Sequence, residues 1–181
     1  MVPVTYIPGF VKNPDAAFKA LSAELEWERR DLTPREEYYC HDLSLDYTYG
    51  SGAGRRTYKA RPYNDTIIEI RNSLELLAGS SFETCFLNRY LDQTDHLGWH
   101  ADDSPEMDDA RPIAIISLGV EREIWFMPKG EKDKVEKLRL GHGSLCLMAP
   151  GMQDTHFHRI PKASFICGER ISATYRGYVD A

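Results

Sequence analysis

No run of apolar residues in this 181-residue chain approaches the roughly 20 needed to cross a bilayer, which excludes a membrane-spanning helix. The start, Met1 to Phe10, lacks the basic region, long apolar stretch and small-residue cleavage site of a secretory signal. A cytoplasmic address is therefore expected, or a nuclear one in a eukaryote. Cysteine is scarce: Cys40, Cys85, Cys146 and Cys167 stand far apart without a C-x-x-C pair, so neither a zinc knuckle nor a disulfide framework is indicated and the thiols read as reduced packing groups. Positive charge is also short. A formal net charge of -6 counts against broad phosphate binding, which rests on Lys and Arg. What remains are local patches at Arg55-Arg56-x-x-Lys59-x-Arg61, at Lys132 to Arg139 and at His158-Arg159-x-x-Lys162, each of which alone reads as a solvated face. Internal repeats, low-complexity segments and linkers are missing too, and the length fits a single domain, residues 1–181, able to bury a core.

Apolar residues are placed with clear periods. Ala17, Phe18, Leu21 and Leu25 recur at helical spacing behind Asn13, a suitable N-cap, and predict a helix over about Pro14 to Trp27. Ile67, Ile68, Ile70, Leu74 and Leu77 predict a second over about Asn64 to Ala78. Between them Asp31 to Tyr63 is rich in Tyr, Arg and Gly and reads as irregular strands and loops, a length usually kept for function. After Ser81 the texture turns to short β-like runs: Phe82 to Leu91, Gly98 to Asp102, Pro112 to Leu118, Glu123 to Met127, Ser144 to Met148, Thr155 to Arg159 and Arg170 to Tyr178. These fit an antiparallel sandwich or jelly roll with helices outside, a mostly β, α+β class.

Gly98-Trp99-His100-Ala101-Asp102 contains an H-x-D pair, and residues two apart on an extended strand share a face, so His100 and Asp102 can hold one ion. Two His and one carboxylate on one face of a metal, with open positions opposite, is the arrangement of non-haem Fe(II) oxygenases. The third ligand must come from elsewhere, and Thr155-His156-Phe157-His158-Arg159-Ile160-Pro161 offers His156 and His158 with the same parity. Asp103 has the wrong parity relative to His100. The last run places Arg170, Ser172, Thr174 and Arg176 on one face and Ile171, Ala173 and Tyr175 on the other. Two guanidinium groups on one face are hard to explain as core, and a planar bidentate donor suits a dicarboxylate. Asn88 and Tyr90 likewise share a face.

Taken in order, Leu87-Asn88-Arg89-Tyr90, His100-Ala101-Asp102, Ser117-Leu118-Gly119, Gly141-His142-Gly143-Ser144-Leu145, His158-Arg159-Ile160-Pro161 and Arg170 to Arg176 resemble the AlkB family of Fe(II)/2-oxoglutarate-dependent dioxygenases, closest to its DNA and RNA repair members. Asp46-Tyr47-Thr48-Tyr49 is similar to the segment that precedes the core there. The resemblance implies a double-stranded β-helix over residues 81–178, with residues 1–80 supplying helices and a nucleotide-recognition lid at roughly Asp31 to Tyr63. It implies His158 rather than His156 as the distal iron ligand beside His100 and Asp102, and assigns His142 to a turn. It implies that Arg170, assisted by Tyr90, pairs with the distal carboxylate of 2-oxoglutarate, while Asn88 and Arg176 lie near its iron-chelating end. Two departures stand out: Ser172 where the family usually has Asn, and Ser104 where its repair members often have a carboxylate.

The expected reaction is oxidative dealkylation of N1-methyladenine or N3-methylcytosine in DNA or RNA, using Fe(II), 2-oxoglutarate and O2 and releasing formaldehyde, succinate and CO2. The expected partner is alkylated nucleic acid, single-stranded by preference because the base must leave its stack, with the enzyme a monomer off the membrane. Asp103, facing away from iron, is a candidate partner for the base, and Tyr47 and Tyr49 for stacking on it. The alternatives for these three are an exposed loop carboxylate and tyrosines that pack the lid. Other functions the residues allow are an oxygenase acting on a protein or small metabolite, a Zn(II) hydrolase, or a non-catalytic jelly-roll binding module.

Overall fold

A computed structural model describes residues 1–179, which form, in chain order, β1 (Val4–Ile7), α1 (Pro14–Glu24), β2 (Glu36–His41), β3 (Tyr47–Tyr49), β4 (Arg56–Tyr58), α2 (Asp65–Ala78), β5 (Thr84–Tyr90), β6 (Leu97–His100), β7 (Ile113–Gly119), β8 (Arg122–Pro128), β9 (Glu136–Leu140), β10 (Ser144–Met148), α3 (Met152–Thr155), β11 (His156–Ile160) and β12 (Arg170–Arg176). A six-stranded antiparallel sheet runs β1-β10-β7-β12-β5-β2 and a four-stranded one β6-β11-β8-β9, while β3 and β4 pair as a separate hairpin. The fold is the expected jelly roll with helices outside. Among the described residues no helix is long and apolar enough to cross a membrane.

Alternation along the major sheet sorts its side chains into two layers. Ile171, Ala173 and Tyr175 of β12, Cys85 and Leu87 of β5, and Ala114, Ile116 and Leu118 of β7 face outward and are buried under Leu21 of α1 and Ile67, Ile70 and Leu74 of α2. The opposite faces of the same strands look into the sandwich, where Ile113, Ile115, Cys146 and Met148 meet Ile124 and Phe126 of β8. Polar residues of β12 and β5 also point inward, next to that apolar cluster, and line a cavity between the sheets.

Both helices start where expected. Asn13 accepts from Ala16 N at 3.4 Å and Asn64 from Ile67 N at 2.9 Å, each satisfying a backbone donor that the first turn leaves free. Two helix details differ from expectation. The first helix ends at Glu24 instead of Trp27: Leu25 is extended, and the Trp27 indole turns back to donate to Leu21 O at 3.0 Å, satisfying a C-terminal carbonyl from outside the helix. Leu77 is half exposed rather than part of the buried stripe.

The stretch Asp31 to Tyr63 is more ordered than its composition suggests. Its β2 pairs with β5 along the whole length from Glu36↔Arg89 to His41↔Thr84. Glu36-Glu37-Tyr38-Tyr39-Cys40-His41 shows no apolar/polar alternation because both faces are buried, one beneath the helices and one against the cavity. Strands β1 and β9 were also not anticipated; β9 lies in the stretch read as a basic patch. Strand β6 stops at His100, so Asp102 follows the strand instead of ending it.

Gly119 has φ +94, and a Cβ there would lie 2.3 Å from Glu169 O, so only glycine lets β7 close against the start of β12. At the base of the sandwich Glu83 gathers three donors: Ser81 Oγ at 2.7 Å, Arg111 Nη1 at 2.9 Å and Tyr178 N at 2.8 Å. Burial pushes its carboxyl up, but Arg111, Ser81 and the Tyr178 amide together outweigh that and hold it down at about 2. A folded-state value below the unfolded one of about 4.3 gives stability that is complete above pH ~4.3 and lost as pH falls toward 2. Urea melts should therefore find Glu83→Gln less stable than wild type at pH 7, by about 1 kcal/mol for a partly exposed charged network. The gap should close between pH 4 and pH 2.

Candidate active site

Strand order brings the metal candidates together. Strand β11 lies between β6 and β8, with His158 directly opposite His100. Their rings are 4.2 Å apart between centroids. Asp102, just beyond β6, is held by its own N–H donating to Gln153 Oε1 at 3.0 Å and by Arg176 Nη1 donating to its Oδ1 at 3.1 Å. One carboxylate oxygen thus lies 4.0 Å from His100 Nε2 and the other 3.6 Å from His158 Nε2. One ligand atom from each of the three residues falls within 4.8 Å of the others.

The protonation states suit a cation. His100 Nδ1 sits 2.9 Å from Gly98 O, and a carbonyl only accepts, so Nδ1 carries the proton and the Nε2 lone pair is left toward the cluster. Burial, then the neighbouring His100, pushes His158 down to about 3 against the pull of Asp102, leaving a neutral imidazole. Burial drives the Asp102 carboxyl upward, but the Arg176 guanidinium, the strongest opposing charge, more than compensates and keeps it ionised. His156, the competing candidate, lies outside this cluster with its Nδ1 2.8 Å from Thr155 Oγ1. His142 accepts from Gly119 N at 2.9 Å and faces Asp15, the turn role the sequence suggested.

The same cavity contains Asn88, Tyr90, Arg170, Ser172 and Arg176. Arg170 is 0% exposed, and burial lowers its guanidinium only to about 10, so it remains a cation. Its Nη2 donates to Ser117 Oγ at 2.8 Å, but Nε and Nη1 are buried without partners, as is the Tyr90 hydroxyl beneath it. Among the described residues Arg170 makes no ion pair. A buried cation with unused donors beside an unused hydroxyl fits an anionic ligand such as a carboxylate, and the donor set of two imidazoles and one carboxylate nearby fits Fe(II). Ser172 stands between Asn88 and Ser117 in register.

Toward the mouth, Tyr47 and Tyr49 line the cavity with Tyr58, and the Tyr47 and Tyr58 rings stack at 6.1 Å. Tyr47 OH and Ser104 Oγ are 2.6 Å apart, so the unusual Ser104 closes a contact with the hairpin. Asp103 is not among the residues that line the cavity. Its side chain is 46% exposed and pairs with Lys129 at 3.4 Å.

Sequence reasoning missed Arg35, Glu37 and Tyr58, all of which line the cavity. Arg35 Nε donates to Asn88 Oδ1 at 2.8 Å and Arg35 Nη2 to Glu37 Oε2 at 3.2 Å, so this pair orients Asn88 from the neighbouring strand. The one signal for them was a cluster of charge, Arg35-Glu36-Glu37, inside a segment too aromatic to be a solvated loop.

A family model described as the 2OG-Fe(II) oxygenase superfamily matches residues 3–176. The chain is 31% identical over 180 residues to the DNA oxidative demethylase ALKBH2 of Bos taurus, covering 90% of this chain and 63% of that protein. The human ALKBH2 is also 31% identical, with 90% and 67% covered. The alpha-ketoglutarate-dependent dioxygenase alkB homolog 3 of Bos taurus is 30% identical over 192 residues, with 96% and 65% covered. The chain thus spans about two thirds of the length of these three relatives. The solved structure of OsALKBH1 superposes with a TM-score of 0.66 at 16% identity over 97% of this chain and 98% of that one, a likeness of fold.

The clustering predicts that His100→Ala, Asp102→Ala and His158→Ala each weaken Co(II) or Fe(II) binding by more than the roughly 10–100-fold that loss of an outer-shell partner brings. His156→Ala should bind as wild type does. Anaerobic metal titration followed by absorbance checks both, and a fatal His156→Ala beside a harmless His158→Ala would reverse the ligand assignment.

Proposed function

The chain belongs to the AlkB family within the 2OG-Fe(II) oxygenase superfamily, and from that premise we propose that it oxidatively dealkylates bases in nucleic acid with Fe(II), 2-oxoglutarate and O2. The observation that carries this reading is one cavity in which a cluster of two histidines and an ionised carboxylate adjoins a buried guanidinium without a counter-ion. Bound there, iron and the keto acid supply the oxidising equivalents for hydroxylating an N-alkyl carbon.

The chain's own groups bind, orient and shield. His100, Asp102 and His158 hold the metal, and Arg176 keeps Asp102 charged and aimed. Arg170 pairs with the far carboxylate of 2-oxoglutarate while the Tyr90 hydroxyl donates to it, and Asn88, braced by Arg35, with Ser172 and Arg176 lines the chelating end. Ser172 reaches less far than the Asn usual in the family, so Asn88 and Arg35 take more of that contact. The hydroxylated N-alkyl group is a hemiaminal, which sheds formaldehyde and leaves the restored base.

The substrate we assign is N1-methyladenine or N3-methylcytosine in a single strand, since the cavity lies between two sheets and a base inside a duplex cannot enter without extrusion, at a few kcal/mol. Relatives named as DNA oxidative demethylases support DNA. Tyr47 and Tyr49 at the mouth supply stacking faces worth roughly 1–3 kcal/mol per base. Asp103, half exposed and paired with Lys129, enters this reading as a contact to the strand outside the pocket.

Formaldehyde release should be seen from methylated single-stranded DNA, more weakly from its duplex, and not from unmethylated controls. Turnover of 2-oxoglutarate coupled to a protein or small metabolite, and to no alkylated strand, would overturn the substrate and leave an oxygenase. Arg170→Ala should raise the KM for 2-oxoglutarate on the order of tenfold to a hundredfold, the equivalent of about 1.5–3 kcal/mol for a charge-assisted bond. An unchanged KM in a protein that still melts cooperatively would remove Arg170 from that role.

A further inference from the structure

Glu37 is an inward residue of β2, 4% exposed, on the wall of the cavity shared by the metal cluster and the mouth tyrosines. One of its oxygens is occupied: Oε2 accepts from Arg35 Nη2 and from Tyr58 OH, both at 3.2 Å. The other, Oε1, is buried and has no hydrogen-bond partner. A buried carboxylate oxygen that accepts nothing is rare in a folded protein, and on a residue that lines a cavity it marks a place where a ligand donor belongs.

The surroundings state what kind of donor. Tyr47, Tyr49 and Tyr58 form a ring cluster on the same wall, with Tyr47–Tyr49 and Tyr47–Tyr58 centroids 6.4 and 6.1 Å apart. Such faces accept a flat ring and favour a cationic one. A carboxylate only accepts, so it attracts an amino group and repels a carbonyl placed at the same point.

Resting on the dealkylation reading above, we propose that Glu37 Oε1 receives the exocyclic amino group of the substrate base. The site then selects cationic bases with an amino group at purine C6 or pyrimidine C4, N1-methyladenine and N3-methylcytosine, over neutral bases with a carbonyl at that same position, N1-methylguanine and N3-methylthymine. Asp103, the carboxylate the sequence suggested for the base, has Lys129 as its partner and lies outside the cavity lining. Glu37 reads the base, and Arg35 ties that reading to Asn88 on the neighbouring strand.

The experiment measures formaldehyde release from four single strands carrying these four bases, at saturating Fe(II) and 2-oxoglutarate, for wild type, Glu37→Gln and Asp103→Asn. Anisotropy of the same strands on Mn(II)-loaded, anaerobic protein gives binding without turnover. Glutamine keeps the shape and can also donate to a carbonyl. Wild type should prefer N1-methyladenine and N3-methylcytosine in both rate and binding, and Glu37→Gln should lower that preference about tenfold or more, a larger factor than any rise in the KM for 2-oxoglutarate. An equal loss on all four strands with a raised KM for 2-oxoglutarate overturns the assignment, because Glu37 would then act through Arg35 and Asn88 on the co-substrate. A preference unmoved in Glu37→Gln, or one that collapses in Asp103→Asn instead, overturns it as well. If wild type oxidises none of the strands while still consuming 2-oxoglutarate, the dealkylation reading falls and takes this assignment with it.

Discussion

A guanidinium inside a β-sandwich is tolerated only where an anion or a set of acceptors meets it, and β12 buries two, Arg170 and Arg176. The molecule answers them differently. Arg176 is met from within by Asp102, whose charge it maintains, and it lies over the rings of Tyr47 and Phe86. Arg170 receives one serine hydroxyl and the face of Tyr90, and its cation is left for a ligand. This difference on one strand divides the cavity into a part that holds itself together and a part that is complete only when an anion is bound.

The histidines depend on the same arrangement. Asp102 lies beyond the end of β6, where no strand partner fixes it, so its direction comes from Gln153 and Arg176. Burial keeps His158 neutral, the form that can ligate, and an ionised Asp102 would balance the charge of a metal that two neutral imidazoles could not. Helices α1 and α2 contribute indirectly. By covering the outer face of β12 and β5 with apolar side chains, they leave Arg170, Ser172 and Arg176 of β12 and Asn88 and Tyr90 of β5 to the inside, while Arg89 stays on the helix side, paired with Glu36 and Glu169.

At the mouth, Tyr47, Tyr49 and Tyr58 line the cavity. The Ser104 to Tyr47 contact joins the segment after β6 to the β3–β4 hairpin, so the metal loop and the aromatic wall share a hydrogen bond. A third cluster, Tyr39, Tyr47, Tyr58, Phe86 and Met107, carries that wall onto the major sheet through β2 and β5. Part of the expected lid is therefore sheet, and only its hairpin stands at the opening.

Much of this was legible in the chain alone. The two-residue alternation of Arg170 to Arg176 separated the apolar from the polar face, the asparagine caps marked both helix starts, and His100-Ala101-Asp102 with a distant histidine implied a metal site, because each is set by local geometry that spacing encodes. Parity could not separate His156 from His158; position did, since only His158 faces His100 across the β6–β11 pair. Nor could spacing show that Asp103 would turn to Lys129, or that Arg35 and Glu37 would reach the cavity. Those outcomes depend on which strands become neighbours: β2 has no alternation to read, and it acquires an inner face only by pairing with β5 far along the chain. The sequence by itself determined the periods and the chemistry on each strand, whereas the long-range pairing of the sheets decided which of those groups share one buried space.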